Sequence, residues 1–281
     1  MELNVKDKVV VITGGAGVLG STFAQKLAAE GARVAILDIA EKKAQQVEQE
    51  IKNTGGEARA FKCDVLKKEV VERTCQQIKE EYGSCDILIN GAGGNHPSGT
   101  TTEETLSVED LDSENPDLVT FFDLEKEGFE FVFNLNIMGT LIPTQVFARD
   151  MVKKESSTII NISSMAAFSP MTKVPAYAAA KAGISNFTEF LAVHFAETGI
   201  RVNAIAPGFF LTEQNRELLT EEDGSPTARC EKIISQTPMR RLGDPQELLG
   251  TLLWLCDEEA SGFVTGVVVP VDGGFMAYSG V

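Results

Sequence analysis

A chain of 281 residues with 43% hydrophobic side chains is long enough for one α/β domain with a sizeable core and short for two. Its formal net charge of −16 argues against nucleic acid and anionic membranes as partners, because their phosphates would be repelled. The cysteines (Cys63, Cys75, Cys85, Cys230, Cys256) form no CxxC pair and His96 and His194 stand far apart, which argues against a metal centre and fits reduced thiols in a cytoplasmic setting.

The first residues carry no charged-then-apolar leader. No apolar run approaches the roughly 18 residues that a membrane helix needs. Val9–Thr13 is a short apolar run and predicts a buried strand. Helical spacing over 18–30 follows and stops at Gly31. Arg33–Asp38 predicts a second strand, and Glu41–Asn53 a helix closed by Gly55-Gly56. A strand at 58–62, a helix at 67–82 closed by Gly83, and a strand at Ile87–Asn90 come next. This alternation implies an α/β fold with a doubly wound parallel sheet covered on both faces.

From 91 to about 123 the chain is rich in Gly, Thr, Ser, Glu and Asp and lacks a period. Loops of this length are usually functional or mobile. A helical region to about 154 leads into a strand at 158–162. The pattern over 175–197 is a long helix with Pro175 at its start and Gly199 beyond its end. A strand at 201–206 precedes a second loop or lid at about 207–227 with a short helix. Helical patterns at 229–236 and 245–258 and a strand at 267–271 complete the chain before Asp272-Gly273-Gly274. No repeat or linker interrupts it, so one domain is expected over 1–281.

The first strand runs into Thr13-Gly14-Gly15-Ala16-Gly17-Val18-Leu19-Gly20. Glycines there permit a tight turn and a close approach of backbone N–H groups to a pyrophosphate, with the helix N-terminus attracting the anion. The spelling fits both GxGxxG and TGxxGxxG, and fits TGxxxGxG only with Val18 in place of a glycine. Asp38 ends the second strand, where a carboxylate can accept hydrogen bonds from ribose hydroxyls and repel a 2′-phosphate. Ile39 follows it and the turn holds no basic residue, so NAD is favoured over NADP.

Tyr177 and Lys181 stand four residues apart, on one face of the predicted helix. A nearby ammonium would lower the phenol's pKa and make it a useful acid/base near neutrality. Ser164 ends the fifth strand, at the sheet edge where ligands bind. Its hydroxyl can hydrogen-bond a substrate oxygen as charge changes. Asn90-Gly91-Ala92-Gly93 ends the fourth strand at that edge, and Asn134 and Asn136 lie in a helix expected beneath it.

With these residues the chain resembles the short-chain dehydrogenase/reductase family over nearly its whole length. The matching positions are the glycine turn, Asp38, Cys63-Asp64-Val65, Asn90-Gly91-Ala92-Gly93, Asn136, Ser164, Tyr177, Lys181, Asn203, Pro207-Gly208 and Asp272-Gly273-Gly274. The resemblance implies a single-domain Rossmann fold with a seven-stranded sheet in the order 3-2-1-4-5-6-7, binding NAD. It implies Tyr177 as acid/base, Lys181 as its electrostatic partner and ribose ligand, and Ser164 as the carbonyl-orienting group. Asn136 is implied to hold a water in a proton relay. Gly14, Gly15, Gly17, Val18, Leu19 and Gly20 would cradle the pyrophosphate, and Asp64 and Val65 would contact adenine. Asn90 and Ala92 would line the cofactor, with Pro207, Gly208 and Thr212 beside the nicotinamide. A homotetramer is implied as well. Val18 and Gly91 depart from the residues many members carry. Epimerases and dehydratases share YxxxK, but too little chain follows Lys181 for their separate substrate domain.

The run Gly93-Gly94-Asn95-His96-Pro97 and the acidic loop after it resemble the D-mannonate oxidoreductases (fructuronate reductases) within this family. Gluconate 5-dehydrogenases are related. A small sugar acid is therefore the expected substrate, with Asn95 and His96 as candidate contacts and Lys173, Arg216, Arg240 and Arg241 as further carboxylate holders. Another ketone or polyol reductase is the alternative. A non-catalytic NAD-binding sensor is the alternative of a different class. His194 reads as a packing or interface residue.

Overall fold

The strands β1 (Val9–Thr13), β2 (Arg33–Asp38) and β4 (Ile87–Asn90) are continuous apolar runs because the sheet they form is covered on both faces. The structure, a computed structural model, describes residues 5–212 and 216–280. With β3 (Glu57–Lys62), β5 (Ser157–Ile162), β6 (Ile200–Pro207) and β7 (Val268–Val271) the order is β3-β2-β1-β4-β5-β6-β7. Every neighbouring pair is parallel. Strand order reverses between β1 and β4, and their carboxyl ends, Thr13 and Asn90, lie in register at that switch point.

Alternation along each strand divides the core. Val10, Ile12, Val34, Ile36 and Ile89 face α1 (Val18–Ala29) and α2 (Glu41–Asn53). Val9, Val11, Leu37, Leu88 and Ile159 face α3 (Lys68–Glu81) and the helices that follow. Phe23 and Leu27 of α1 are fully buried, each worth roughly 1.5–3 kcal/mol over exposure.

A continuous helix of 26 residues follows the long loop. It comprises α4 (Lys126–Phe133), a π turn (Asn134–Met138) and α5 (Gly139–Met151). This helix is apolar and long enough to cross a membrane by composition, contrary to the expectation from the sequence. The reason is visible in the fold: Ile142, Val146, Phe147 and Met151 are buried core residues against the sheet. The helix that carries Tyr177, α6 (Pro175–His194), begins at Pro175 as expected, and Gly199 at φ +76° turns the chain beyond it into β6.

α7 (Arg216–Leu219) and α8 (Ala228–Gln236) share a small apolar cluster in which Leu219, Cys230 and Ile233 are buried against Phe209, Leu211 and Leu242. α9 (Leu249–Cys256) returns to the main core, and α10 (Glu258–Ser261) precedes β7. The 93–123 loop holds short turns at Pro97–Gly99, Glu109–Asp112 and Phe121–Asp123. Its Glu104 forms an ion pair with Lys232 of α8, which joins the loop to that second cluster.

Candidate active site

The glycine turn is built by backbone approaches that side chains would block. Gly14 sits at φ +64°, and a Cβ there would stand 2.9 Å from Ala92 backbone. A Cβ on Gly20 would stand 2.3 Å from the Gly14 carbonyl oxygen. Gly17, by contrast, lies at the cavity wall, and its added Cβ would meet only the Gly14 carbonyl, at 3.3 Å. The leading N–H groups of α1 open beside it with no partner inside the helix, a ready site for a diphosphate. Gly15 plays another part: its N–H donates to Leu37 and its α-carbon lies against Ile36, so it packs the turn onto β2 and does not line the cavity.

Asp38 is fixed by two backbone donors. The N–H of Ala16 reaches one carboxylate oxygen at 3.0 Å and that of Ala40 the other at 2.8 Å. Each oxygen keeps a lone pair for a ribose hydroxyl. Thr13, which the motif reading passed over, ties the two central strands together: its hydroxyl accepts the N–H groups of Gly91 (3.1 Å) and Ala92 (3.2 Å).

A cavity of about 720 Å³ runs from this turn along the sheet edge. Gly14, Val18, Leu19, Gly20, Asp38, Asp64, Val65 and Ala92 line one end. Ser164, Tyr177, Lys181, Pro207, Gly208 and Thr212 line the other, together with Asn95. Asn90 is corrected in role. Its side chain donates into the core, to Thr144 (3.0 Å) and Asn161 (2.8 Å), so it braces the sheet edge and does not face the cavity.

Tyr177 and Lys181 do share the cavity, and a hydrogen bond links the Tyr177 and Ser164 hydroxyls. Their electrostatics differ from the sequence expectation. Burial raises the Tyr177 phenol, and the Ser164 hydrogen bond offsets this only in part. Burial also draws Lys181 down to about 8. The ammonium donates to the Ile162 carbonyl at 2.7 Å and lies 5.6 Å from the centre of the tyrosine ring. It is fastened to the strand end and not to the phenol.

Asn136 lies within the π turn, fully buried, whereas Asn134 is exposed. The Asn136 amide donates to the carbonyls of Gly94 (2.8 Å) and Val132 (2.7 Å) and accepts the Gly94 N–H at 3.3 Å. A Cβ on Gly93 would stand 2.7 Å from the Asn136 side-chain oxygen and 3.1 Å from the Lys181 amine. The Gly93-Gly94 pair thus lets the chain pass between these two polar groups.

His96 is not at the cavity wall. Its Nδ1 accepts the Ser98 N–H at 3.2 Å, and its ring lies against Phe131, which does line the cavity. Of the other basic candidates, Arg241 is held bidentately by Glu247 and Arg240 donates to the Ser235 carbonyl. Lys173 and Arg216 are also absent from the wall, so Lys181 is the single cation lining the cavity among the described residues. His194 is exposed, with its ring stacked on Phe190 and edge-on to Phe195, at 5.5 Å from each.

A parallel sheet with a diphosphate turn at its switch point, a ribose-binding carboxylate, and a phenol and hydroxyl at the far end defines a nucleotide-dependent oxidoreductase. Residues 8–223 match the short chain dehydrogenase family, and the chain belongs to it. An uncharacterized oxidoreductase named UxuB from Bacillus subtilis (strain 168) is 55% identical over 278 residues, which cover 99% of this chain and 98% of that protein. A solved structure from Haemophilus influenza with bound NAD, described provisionally as a D-mannonate oxidoreductase, superposes with a TM-score of 0.94. It is 54% identical, covering 99% of this chain and 98% of that one. Another, described provisionally as a gluconate dehydrogenase from Agrobacterium tumefaciens, has a TM-score of 0.85 at 27% identity, covering 99% of each chain. This chain is accordingly an oxidoreductase that uses NAD and acts on alcohol or ketone groups of small molecules.

Proposed function

We propose that this enzyme interconverts a secondary hydroxyl and a ketone on a small sugar acid, with D-mannonate and D-fructuronate as the pair. The observation that carries the reading is the Gly93-Gly94-Asn95 turn, which is locked to Asn136 and opens onto the same cavity end as Ser164 and Tyr177. The likeness to a structure provisionally described as a D-mannonate oxidoreductase supports the same substrate. Asn95 donates its amide N–H to Thr100 at 2.9 Å, which leaves its carbonyl oxygen for a substrate hydroxyl.

NAD supplies or accepts the hydride when bound. The protein's own residues handle the proton and the orientation. Ser164 holds the substrate oxygen, and Tyr177 gives that oxygen its proton on reduction and takes it back on oxidation. A buried, protonated phenol is in the right state to donate. Lys181, charged and anchored on Ile162, favours the tyrosinate left behind and replenishes its proton by way of water held at Asn136. Asp38 would hold the adenosine ribose, Asp64 and Val65 would flank the adenine, and Pro207, Gly208 and Thr212 would stand beside the nicotinamide, all of them lining the cavity.

The loop at about 207–227 is our candidate lid for this site, and its residues 213–215 lie outside the described residues. We place the enzyme in the cytoplasm as a homotetramer, with the exposed apolar side chains Phe133, Met138, Phe190 and Val193 on its long helices covered between subunits. Sedimentation checks the assembly. NADH oxidation with a panel of ketones checks the function. D-fructuronate should be reduced, and NADPH should serve far less well. Activity confined to steroid ketones or acyl thioesters would overturn the reading.

A further inference from the structure

The turn after Gly94 is more tightly built than substrate-facing loops require, and its histidine looks away from the cavity. The Gly99 N–H and the Thr100 hydroxyl both donate to the His96 carbonyl, each at 3.0 Å. The Ser98 N–H donates to His96 Nδ1. In the neutral ring the proton therefore sits on Nε2. A Cβ on Gly128 would stand 2.4 Å from the Ser98 carbonyl carbon, so α4 and the turn meet backbone to backbone. Phe131 lies three residues further along the same helix, on the same face. There it meets the His96 ring at 4.9 Å between centres, tilted by 50°.

Phe131 is 45% exposed and lines the cavity. The wall beside it offers Leu135, the Asn95 amide and a backbone turn, with no cation but Lys181 among the described residues. A phenyl face there has little to recognise by charge. It can accept the weakly positive C–H groups of a carbon chain whose hydroxyls turn toward polar neighbours.

We propose that Phe131 is the surface on which the C–H face of the substrate's carbon chain lies, and that His96 is a positioning residue that acts through Phe131 and not on the substrate. This deepens the functional reading above and rests on it for which end of the cavity holds substrate. His96, with its Nδ1 committed to Ser98, fixes the ring's tilt from behind.

The test is steady-state kinetics with D-fructuronate and saturating NADH. Phe131→Ala should raise the KM for D-fructuronate about tenfold, with kcat and the KM for NADH almost unchanged. Phe131→Tyr, which keeps the ring face, should keep the wild-type KM. His96→Ala should raise KM about threefold in the wild type and add nothing in the Phe131→Ala background, the signature of two residues acting as one unit. An unchanged KM in Phe131→Ala, or a His96 effect that persists in full without Phe131, would overturn the proposal. Wild-type enzyme that ignores D-fructuronate but reduces a keto-gluconate or a ketose would overturn the substrate reading alone, and the same variants are then measured with that ketone. Wild-type enzyme inert toward all of them overturns both.

Discussion

The two ends of the cavity are made of different material. The cofactor end is backbone: Gly14 and Gly20 admit contacts that no Cβ could share, and Asp38 is pinned by the N–H groups of Ala16 and Ala40. The substrate end is side chain: Asn136 clasps Gly94, Phe131 leans on His96, and Glu104 reaches across to Lys232. Backbone sites follow from short motifs, because turn geometry admits few residue types. Side-chain sites depend on partners brought together by the whole fold, and many combinations of residues build them.

Substitutions at each end should break this contrast in order of size. The largest effect is expected where the ends meet. Tyr177→Phe should lower kcat by about 10³-fold and leave NADH affinity unchanged, as read by titrating NADH fluorescence. Retained turnover would remove the phenol from the chemistry. At the cofactor end, Gly20→Ala should cost up to about 3 kcal/mol in urea unfolding and weaken NADH binding, since the added carbon must displace backbone.

Lys181 gives a pH test at the junction. Its folded-state pKa is held near 8, below the ordinary 10.5, so above pH 8 the unfolded chain holds more protons at this site. Stability from this group therefore rises with pH, by roughly 2 kcal/mol between pH 8 and pH 10. The raised Tyr177 phenol acts with the opposite sign only above its ordinary pKa of 10. Urea unfolding of wild type and Lys181→Met across that range should differ by this slope, and parallel profiles would show that the amine is solvated.

Smaller changes are expected from the remaining two. Asp38→Asn should lower kcat/KM for NADH about tenfold while that for NADPH stays level or rises, because the charge that repels a 2′-phosphate is gone. Glu104→Gln should move neither the melting temperature nor kcat/KM measurably, as expected for an ion pair between exposed side chains. A clear loss of activity there would mean that the long loop and α8 work as a coupled pair.

This contrast also governs what could be read before the fold was known. β1, β2 and β4 were legible to the residue, because strands buried on both faces are continuous apolar runs. The glycine turn and Asp38 were legible because their neighbours along the chain, a strand and then a helix, supply the context. Tyr177 and Lys181 were legible as a pair on one face, but not the amine's true acceptor, the Ile162 carbonyl, since that contact needs β5 beside α6. Asn90 looked like a cofactor residue because it stands beside Ala92, yet its side chain points to Thr144 and Asn161, far away along the chain. Phe131 left no signal at all: an aromatic residue in an apolar helix usually means core. His96 drew attention by its chemistry, while the neighbour that faces the cavity drew none.

The π turn at Asn134–Met138 sets the phase between these parts. Such a turn holds one more residue than a straight α-helix would at that point. Everything ahead of it, Gly128 and Phe131 included, is rotated by about 100° relative to the face that continues into α5. One stretch of chain can thus aim a ring at the substrate, an amide at Gly94 and an apolar stripe at the sheet, three directions that a regular helix could not serve together. Deleting a single residue between Asn134 and Met138 would swing Phe131 out of step with the Asn136 amide, so helix phase sets how the cavity wall meets the Gly94 turn.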